Sequence, residues 1–454
     1  MSATVIPIDT PGLGDRTYVA HDGKVALVVD PQRDIDRVLE VTDAAGVRVT
    51  HVLETHIHND YVTGGLALAQ ATGAAYLVNA DDDVAFERTP IRDGDVVEVG
   101  SLRVRAIHTP GHTHTHMSYA LEDADGTTSV FTGGSLLHGA TGRPDLLGPD
   151  HTNTLVRAQW RSAHRLADEL PDNAAVLPTH GFGSFCSATQ SDVTSSSIGD
   201  ERRTNPALTR TEEEYVEELL AGLEEFPAYY AYMGPANAAG PDSPDLGLPQ
   251  QADPAELRRR LDAGEWLVDL RTRSAYATGH LPGSVNIGSD GQFVTYLGWI
   301  LPYDAPVTLL GETPEQVAEA QREMVRIGRD PAAHATGKPE EWTEGGPVGS
   351  FPVSDFAGLA AAVAAGEDLV VLDVRRPAEH DEAHVEGSVN VPIHAVLAHL
   401  DSLPHRRMWV HCAGGYRASV VASFLAARGH DVVAVDDSFD QAAPAGLPVV
   451  TSTS

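Results

Sequence analysis

One strand-to-helix connection constrains the fold of this chain more than any other segment. Residues 47–53 are rich in β-branched side chains, which predicts a strand, and a Gly-Gly pair then marks the turn into a helix. The connection between them carries His56, His58 and Asp60. Because the two histidines are so close in sequence, a loop can direct both imidazoles at one centre. Neutral imidazole suits zinc and iron, and a carboxylate hardens the site, so the segment predicts a metal centre.

Two later segments have the same character. A His-Thr-Pro-Gly-His run ends at His112 after a strand-like stretch at 102–106, and a Pro-Thr-His-Gly run places His180 after another apolar stretch. In both segments a histidine follows a strand beside Gly or Pro, in the kind of loop that carries function. We therefore expect His112 and His180 to join the first cluster. The alternative is that they are polar turn residues.

Length and charge limit the class of protein. The chain has 454 residues and a formal net charge of -34 at pH 7. This length predicts about two to four domains. The negative charge disfavours nucleic acid and anionic membrane surfaces as partners. No apolar run is long enough to span a bilayer, and the N-terminus shows no basic region followed by an apolar one, so we expect a cytoplasmic protein.

Local patterns predict the layers of the N-terminal half. Alternating apolar and polar residues around Asp22-Gly23 predict a β-hairpin, and Asp34 is expected to cap the next helix. Strands and helices then alternate to about residue 190, which fits an αββα sandwich. Thr211 with Glu214 predicts a capping box at the start of a later helix.

The C-terminal half contains an internal repeat. Residues 267–271 and 279–287 match a second copy at 371–375 and 383–391. In each copy an Asp-x-Arg motif ends an apolar strand, and a Gly-Ser-x-Asn motif follows. Short apolar strands that alternate with helices predict a parallel α/β sheet in each copy.

Segments rich in Gly and Pro suggest the domain boundaries. We predict linkers at 235–251 and 331–350. The predicted domains are residues 1–235, 252–340 and 351–454. The expected fold class is therefore α/β multidomain, with a sandwich followed by two parallel α/β domains.

The C-terminal copy places a thiol between a strand and a helix. Cys412 follows a strand-like run at 408–411, and the loop after it can turn its N–H groups inward. These donors, the helix dipole and Arg417 are expected to favour a thiolate that can carry a persulfide. The alternative is a buried, inert cysteine. The other loop residues, which we expect to bind sulfur, are Ala413, Gly414, Gly415 and Tyr416.

Further motifs in the N-terminal half support a family resemblance. They are Phe-Thr-Gly at 131–133, Gly-Arg-Pro-Asp at 142–145 and Glu-Arg-Arg-Thr-Asn-Pro at 201–206. With the histidine motifs, they make residues from about 1 to 235 resemble the metallo-β-lactamase superfamily, and within it the persulfide dioxygenases. The resemblance implies an αββα sandwich. It also implies that His56, His58 and His112 bind a metal, with Asp60 and His180 nearby.

Two positions depart from that family. Tyr61 stands where the family usually has a His directly after the Asp, and Gly134 stands where it usually has Asp after Phe-Thr-Gly. In persulfide dioxygenases that Asp completes a two-His, one-carboxylate iron site, and its loss also removes the usual bridge between two metals. The resemblance then implies one ion held by three histidines. We favour Fe(II), with Zn(II) as the alternative.

Other metal-capable residues accompany these motifs. His138 could compensate for the missing Asp, or it could be a surface residue. His114 and His116 are expected to be loop residues rather than ligands. Cys186 lies shortly after the predicted ligand His180 and is expected to be a core cysteine. As an alternative, it could be a second thiol that relays sulfur.

The loop from Cys412 to Arg417 resembles the rhodanese active-site loop, and the repeated motifs also match rhodanese domains. A phosphatase loop, which also begins with Cys and ends with Arg, is one residue longer, so this spacing favours sulfur. In the first copy Gly311 stands where the cysteine would fall, and Glu312 and Glu315 would repel an anion. We expect that copy to be inactive, to pack between its neighbours and to contribute to a homo-oligomer.

The whole chain resembles a persulfide dioxygenase-like domain fused to two rhodanese domains. That resemblance implies that O2 oxidises a low-molecular-weight persulfide, of a glutathione-like thiol, to sulfite. It further implies that Cys412 transfers sulfane sulfur, for example to sulfite to give thiosulfate. Two alternatives stay open. One is a Zn-dependent thioester hydrolase similar to glyoxalase II, fused to a rhodanese; the other is a sulfurtransferase whose metal domain is a non-catalytic scaffold.

Overall fold

The structure is a computed structural model that describes residues 3–123, 126–189 and 193–452. The chain divides into two units. One comprises Met1–Asp245 with Val325–Gly328, and the other comprises Leu246–Met324 with Arg329–Ser454. None of the helices in the described ranges combines the length and the apolar character that crossing a bilayer requires.

Two six-stranded sheets form the centre of the first unit. The first sheet contains, in spatial order, β1 (Thr4–Thr10), β2 (Asp15–His21), β3 (Val25–Val29), β4 (Arg48–Leu53), β5 (Ala75–Asn79) and β6 (Thr89–Ile91). The second contains β7 (Val96–Val99), β8 (Leu102–His108), β9 (Met117–Asp123), β10 (Gly126–Gly133), β11 (Ala175–Pro178) and β12 (Ser196–Ser197). The predicted hairpin at Asp22-Gly23 is confirmed, because β2 and β3 pair antiparallel on either side of it.

Within the described ranges, seven α-helices belong to this unit. They are α1 (Asp36–Ala45), α2 (Gly65–Thr72), α3 (Pro149–Glu169), α4 (Ile198–Thr204), α5 (Pro206–Thr209), α6 (Glu212–Ala221) and α7 (Tyr230–Ala239). Side chains from the inner faces of both sheets, such as Tyr18, Leu53 and Phe131, form one buried core. Val38 of α1 packs on the outer face of the first sheet, and Val156 of α3 packs on that of the second. This layering is the predicted αββα sandwich.

Two local predictions in this unit are wrong at their boundaries. Asp34 does not cap α1, which begins at Asp36 after Ile35; instead the Asp34 carboxylate pairs with Arg37 at 2.8 Å. The linker predicted from residue 235 starts later, because Pro235 lies inside α7. A proline removes one helical hydrogen bond, but the buried side chains of this helix hold it in place. The capping box of Thr211 and Glu214 is confirmed.

The second unit contains two parallel sheets that follow the sequence repeat. The first has the order β14 (Val285–Asn286), β13 (Trp266–Asp269), β15 (Val307–Gly311) and β16 (Ala333–Thr336). The second has the order β17 (Val353–Ser354), β22 (Val432–Val435), β21 (Arg407–His411), β18 (Leu369–Asp373) and β20 (Val389–Asn390). A separate antiparallel pair joins β19 (Ala383–Val385) to β23 (Val449–Thr451).

Helices flank both parallel sheets. They are α8 (Pro254–Asp262), α9 (Arg273–Thr278), α10 (Phe293–Ile300), α11 (Pro314–Arg326), α12 (Pro339–Trp342), α13 (Phe356–Ala364), α14 (Pro377–Glu382), α15 (Val396–His399) and α16 (Tyr416–Ala427). The linker predicted at 331–350 is wrong over much of its length, because it contains β16 and α12. The segment is rich in Gly and Pro and is therefore predicted to be a linker, but it contains the short buried edge strand β16, in which Ala333 pairs with Thr308.

The repeated motifs build the same hydrogen-bond network in each copy. Arg271 donates to the Asp269 carboxylate at 2.6 Å, and the Asn286 amide donates to the carbonyls of both residues at 2.9 Å. In the second copy, Arg375 donates to Asp373 at 2.6 Å, and the Asn390 amide likewise donates to the carbonyls of Asp373 and Arg375. The Asp-x-Arg and Gly-Ser-x-Asn motifs therefore tie two neighbouring parallel strands together in both domains.

Candidate functional site

The metal-capable side chains of the first unit lie on loops that leave the carboxyl ends of three strands. His56 and His58 follow β4, His112 follows β8, and His180 follows β11. Each of these histidines is at most 1% exposed. The structure therefore brings together side chains that are far apart in sequence, as the strand-end motifs predict.

His56 and His180 face each other through their Nε2 atoms. Their Nε2 atoms lie 3.4 Å apart, and the Nδ1 atom of His56 lies 2.9 Å from the Thr55 hydroxyl. The Nδ1 atom of His180 lies 2.9 Å from the Asp15 carboxylate and 3.1 Å from Asp60. Contacts at Nδ1 therefore orient both rings so that their Nε2 atoms face each other.

His112 completes this group from the β8 side. Its ring centroid lies 4.7 Å from that of His56 and 5.3 Å from that of His180. Its Nδ1 atom lies 2.8 Å from the carbonyl of Arg143. A carbonyl can only accept, so Nδ1 carries the proton and Nε2 presents a lone pair. Burial, followed by the charge of His180, lowers the pKa of His112 to about 3.

His58 is oriented differently from the other histidines. Its Nε2 atom lies 2.9 Å from the Tyr61 hydroxyl and 3.3 Å from both the Asp30 and Glu54 carboxylates. Burial alone would lower the pKa of His58, but Asp30 and Glu54 outweigh it and raise that pKa to about 9. Because Nε2 faces these three oxygen atoms, Nδ1 is the nitrogen of His58 that could bind a metal, once the ring has lost its proton.

The residues present fit a metal ion. The Nε2 atom of His112 and the Nδ1 atom of His58 are buried and have no hydrogen-bond partner within the described ranges. Buried imidazole nitrogens are seldom left unpaired, because the loss of hydration costs free energy. One donor atom from each of His56, His58 and His180 falls within 4.8 Å of the other two. The fold family implies a metal, and this donor set suits Fe(II) or Zn(II).

Two carboxylates set the charge beside His180. Burial and the proximity of Asp60 raise the pKa of Asp15 to about 8. Burial also favours neutral Asp60, but His180 outweighs it and keeps the pKa of Asp60 below its ordinary value. Of Asp15 and Asp60, Asp60 is therefore the one that carries the negative charge beside His180.

The two positions that depart from the family supply no ligand. The Tyr61 hydroxyl faces His58 Nε2, which is not the free nitrogen of that ring. A Cβ atom on Gly134 would collide with Cδ2 of His112. The His112 ring thus occupies the space that a side chain at position 134 would need. Both observations favour one metal ion rather than two.

Three further histidines lie outside the ligand set. His138 is buried rather than at the surface, and both of its ring nitrogens face backbone carbonyls, at 2.9 and 3.2 Å, so it does not compensate for the missing Asp. His116 is buried, and its Nε2 accepts the Gly134 N–H at 3.0 Å. His114 is exposed and contacts His151.

Cys186 lies inside the histidine cluster rather than in an apolar core. It is fully buried, and its Sγ atom lies within 4.8 Å of donor atoms of His112 and His180. Burial and the charge of Asp60 raise its pKa well above the ordinary value. Cys186 therefore lies beside the metal-capable histidines, and its expected role as a core cysteine, with sulfur relay as the alternative, stays a prediction.

Asp30 is a functional residue that the sequence motifs do not reveal. Its carboxylate accepts the backbone N–H and the hydroxyl of Thr55, both at 2.7 Å, and also a hydrogen bond from Thr179. Its φ of 52° lies in the left-handed region, which a residue other than glycine rarely adopts. Asp30 thus connects the β4 and β11 loops beneath the histidines. Its position directly after β3 is the one sequence feature that could have suggested this role.

Asn237 is a second such residue, and it lies in the segment interpreted as a linker. Its amide nitrogen donates to the carbonyls of His58 and Tyr61 at 2.9 and 2.8 Å. Its amide oxygen accepts the backbone N–H of Thr63 at 2.8 Å. A single buried side chain therefore fixes the whole turn that carries the His-x-His-x-Asp motif.

The second candidate site is the Cys412 loop of the second unit. Cys412 follows β21 directly, and α16 begins at Tyr416. The Gly415 N–H donates to Cys412 Sγ at 3.1 Å, which matches the expected inward turn of the loop. Gly415 has a φ of 88°, and a Cβ atom there would collide with the Asp436 carboxylate. Only glycine fits this position.

Arg417 has a partner that the motif does not predict. Its guanidinium forms two hydrogen bonds to Glu379, at 2.6 and 2.8 Å. Burial favours the neutral carboxyl, but Arg417, and to a lesser degree Arg376, outweigh it and lower the pKa of Glu379 to about 2. Arg417 is therefore held rigidly at the start of α16 by an ion pair, rather than left free beside the sulfur.

The corresponding loop of the first copy is closed by a side chain. Gln316 donates to the Leu270 carbonyl at 2.9 Å and accepts the Glu312 N–H at 2.8 Å. Gly311 ends β15 at the position of the missing thiol. This geometry agrees with the expectation that the first copy carries no sulfur.

The first copy nevertheless contacts the thiol loop of the second. The Tyr416 hydroxyl donates to the Gly288 carbonyl at 3.0 Å. Arg273 donates to Asp436, the residue that packs on Gly415, at 3.0 Å. The first copy thus supports the conformation of the loop around Cys412.

Comparison with known proteins agrees with this architecture. Residues 10–180 match the metallo-beta-lactamase superfamily, and residues 253–344 and 357–443 each match the rhodanese-like domain. The chain is 29% identical over 209 residues to the mitochondrial persulfide dioxygenase ETHE1 of Bos taurus, which covers 45% of this chain and 72% of that protein. It is 30% identical over 227 residues to a hydroxyacylglutathione hydrolase of Acidiphilium cryptum, which covers 46% of this chain and 90% of that protein.

A curated relative and a solved structure extend the comparison. The chain spans 45% of a lactamase-like protein of Pestalotiopsis microspora, with 32% identity over 33% of its own length. A crystal structure of a metallo-beta-lactamase from Staphylococcus aureus aligns with a TM-score of 0.66 and 26% identity, over 74% of this chain and 100% of that one. The chain therefore belongs to the metallo-beta-lactamase superfamily, and two rhodanese-like domains follow its metallo-beta-lactamase domain.

Proposed function

We propose that this protein oxidises a low-molecular-weight persulfide to sulfite at one metal ion and transfers sulfane sulfur at Cys412. The observation that carries the proposal is the presence, in one chain, of a buried histidine cluster and a rhodanese loop with its thiol in place. One half would make sulfite, and the other could consume it. The similarity to a persulfide dioxygenase over 72% of that protein's length supports the first half.

In this proposal, His56, His58 and His112 hold the ion together with His180, whose ring lies in one donor group with His56 and His58 and in another with His112. Asp60 lies beside His180. With Fe(II) bound, the centre would supply the oxygen chemistry, in which RSSH, O2 and H2O give RSH, sulfite and two protons. The chain's own contribution is to fix the donors. Asp30 and Tyr61 orient His58, and the near-complete burial of the cluster limits access of bulk water.

The sulfur-transfer step uses the thiol of Cys412. Its thiolate attacks the terminal sulfur of a persulfide, so that an S–S bond to cysteine forms, the original S–S bond breaks and RSH leaves. Sulfite then attacks the terminal sulfur on Cys412, which forms thiosulfate and returns the thiolate. The Gly415 N–H, which donates to Sγ, can stabilise the Cys412 thiolate that attacks and is later released.

Oxygen uptake with glutathione persulfide on Fe(II)-loaded protein tests the dioxygenase half. We expect uptake by the wild type and a loss of at least about 100-fold in His56→Ala, because removal of one metal ligand weakens the site. The exposed His114, which lies outside the cluster, provides a matched control as His114→Ala. Uptake that is absent from the wild type, or equal in both variants, would remove the dioxygenase claim.

A Zn-dependent hydrolase of glutathione thioesters is the second candidate. The match to a hydroxyacylglutathione hydrolase over 90% of that protein's length favours it, because a single zinc ion can activate water. Elemental analysis of freshly isolated protein, combined with a thioester assay, separates the two candidates. Iron with no thioester hydrolysis supports the dioxygenase, and zinc with rapid hydrolysis supports the hydrolase.

A further inference from the structure

One histidine nitrogen in this pocket, Nε2 of His112, has no partner among the described residues, and no carboxylate stands at position 134. Gly134 has no side chain, and the His112 ring fills the space beside it. The Nε2 atom of His112 is fully buried, presents a lone pair and has no hydrogen-bond partner among the described residues. Whatever binds this nitrogen must come from elsewhere in the chain or from a ligand.

Cys186 is the side chain that lies beside this histidine. Its Sγ atom, a ring nitrogen of His112 and a ring nitrogen of His180 lie within 4.8 Å of one another. The residue is fully buried, and the polar side chains of Asp60 and Tyr230 lie close to its thiol. An inert core cysteine would instead be surrounded by apolar groups.

The backbone N–H and C=O of one residue, Arg143, hold both Cys186 and His112. The carbonyl of Arg143 accepts from His112 Nδ1 at 2.8 Å, and the N–H of Arg143 donates to the Cys186 carbonyl at 2.8 Å. The Ser184 hydroxyl also accepts the Cys186 N–H at 3.2 Å. The thiol and the imidazole are therefore placed together by backbone bonds that do not depend on a bound ion.

We infer that the Cys186 thiolate is a ligand of the metal centre and replaces, from a different loop, the carboxylate that the family places after Phe-Thr-Gly. This inference rests on the proposed metal site. Binding replaces the thiol proton, which leaves to solvent, and a sulfur–metal bond forms. The ligand set then combines neutral imidazoles with one anionic sulfur, a donor type that both iron and zinc accept.

Cobalt(II), bound in place of the native ion, tests this directly, because a thiolate ligand gives cobalt a charge-transfer absorption in the near ultraviolet. Cys186 and Cys412 are the only two cysteines in the sequence. In Cys412→Ser, any such absorption must therefore come from Cys186. We expect the absorption in the wild type and in Cys412→Ser.

In Cys186→Ser the absorption should disappear, and cobalt affinity, measured by competition with a chelator, should fall by about 10- to 100-fold or more. Cys186→Asp, which returns a carboxylate, should recover cobalt binding without the absorption. Cobalt that binds to Cys412→Ser without the absorption would overturn the assignment of Cys186 and leave the metal centre standing. A wild-type protein that binds no cobalt would overturn both the assignment of Cys186 and the proposed metal site.

Discussion

At the scale of single residues, one glycine changes what the N-terminal site can hold. The His112 ring lies where a side chain at Gly134 would be, so a carboxylate cannot enter from that position without moving the ring. Tyr61 takes another usual ligand position and instead hydrogen-bonds to His58. In the proposed function the site holds one ion, and the buried imidazoles supply the donors that it needs.

Asn237 should be essential for the metal-binding turn, although it touches no expected ligand atom. Asn237→Ala leaves the carbonyls of His58 and Tyr61 and the N–H of Thr63 without a partner. We expect the metal-free protein to lose about 2–4 kcal/mol of unfolding free energy, measured in urea, and cobalt affinity to fall by about 10-fold or more. The exposed Asn173 supplies the control as Asn173→Ala. Equal stability of the two variants would contradict the assigned role.

The ion pair of Arg417 with Glu379 should make stability depend on pH. The folded-state pKa of Glu379 is about 2, below its ordinary value of 4.5, so the charged carboxylate stabilises the folded protein above about pH 4.5. That contribution is lost as the pH falls through 4.5 towards 2. We expect Glu379→Gln to lose about 1–2 kcal/mol at pH 7 and progressively less towards pH 3.

Urea unfolding at several pH values measures this difference. Glu367→Gln, at an exposed position of the same domain, is the control, and its stability should follow that of the wild type at every pH. A loss in Glu379→Gln that is the same at pH 7 and pH 3 would contradict the ion-pair account.

At the scale of elements, both sites occupy the ends of strands, where a loop turns into a helix or into the next layer. The Cys412 loop shows how narrow the permitted geometry is, because α16 can start at Tyr416 only if Gly415 adopts a positive φ beside Asp436. The first copy contributes to this arrangement, since its Arg273 holds Asp436 in place.

Two neighbouring glycines in this loop should respond differently to the same change. Gly415→Ala must strain the backbone and displace Asp436, and we expect it to cost about 1–3 kcal/mol of unfolding free energy. A Cβ atom added at Gly414 would meet no heavy atom within 4 Å, and Gly414 has no positive φ, so Gly414→Ala should be neutral or slightly stabilising. Thermal or urea unfolding of both variants checks this, and equal stabilities would contradict it.

Sequence patterns located the elements and the loops better than the contacts within them. The histidine motifs could be predicted because each lies a few residues beyond a strand whose β-branched or apolar character is local. Asp15 could not, because its partner His180 is 165 residues away. Asn237 lies 174 residues from Thr63, in a Pro- and Ala-rich segment that reads as a linker. Amino-acid composition and local patterns cannot predict contacts between residues so far apart in sequence.

At the scale of the whole molecule, the proposed function joins two chemistries with different requirements. Metal binding would depend on the buried imidazoles, whereas sulfur transfer would depend on one thiol and the loop around it. In the proposed function, the substrate of one domain and the product of the other are both small sulfur anions or persulfides. The two activities should therefore be separable by mutation.

His56→Ala should leave sulfur transfer at Cys412 within about twofold of the wild type, because no step of that transfer uses the histidine cluster. The measurement is transfer of sulfane sulfur from glutathione persulfide to added sulfite, without iron and without oxygen. Cys412→Ser should abolish it. A large loss in a folded His56→Ala protein would show that the two halves do not act independently.

The most direct measurement of the central claim is the product formed from glutathione persulfide and O2 by the Fe(II)-loaded protein. We expect the wild type to take up oxygen and to give thiosulfate as the main product. Cys412→Ser should take up a similar amount of oxygen and give sulfite. Protein-free samples set the background for both products. Absence of oxygen uptake in both proteins, or the same products from both, would contradict the account.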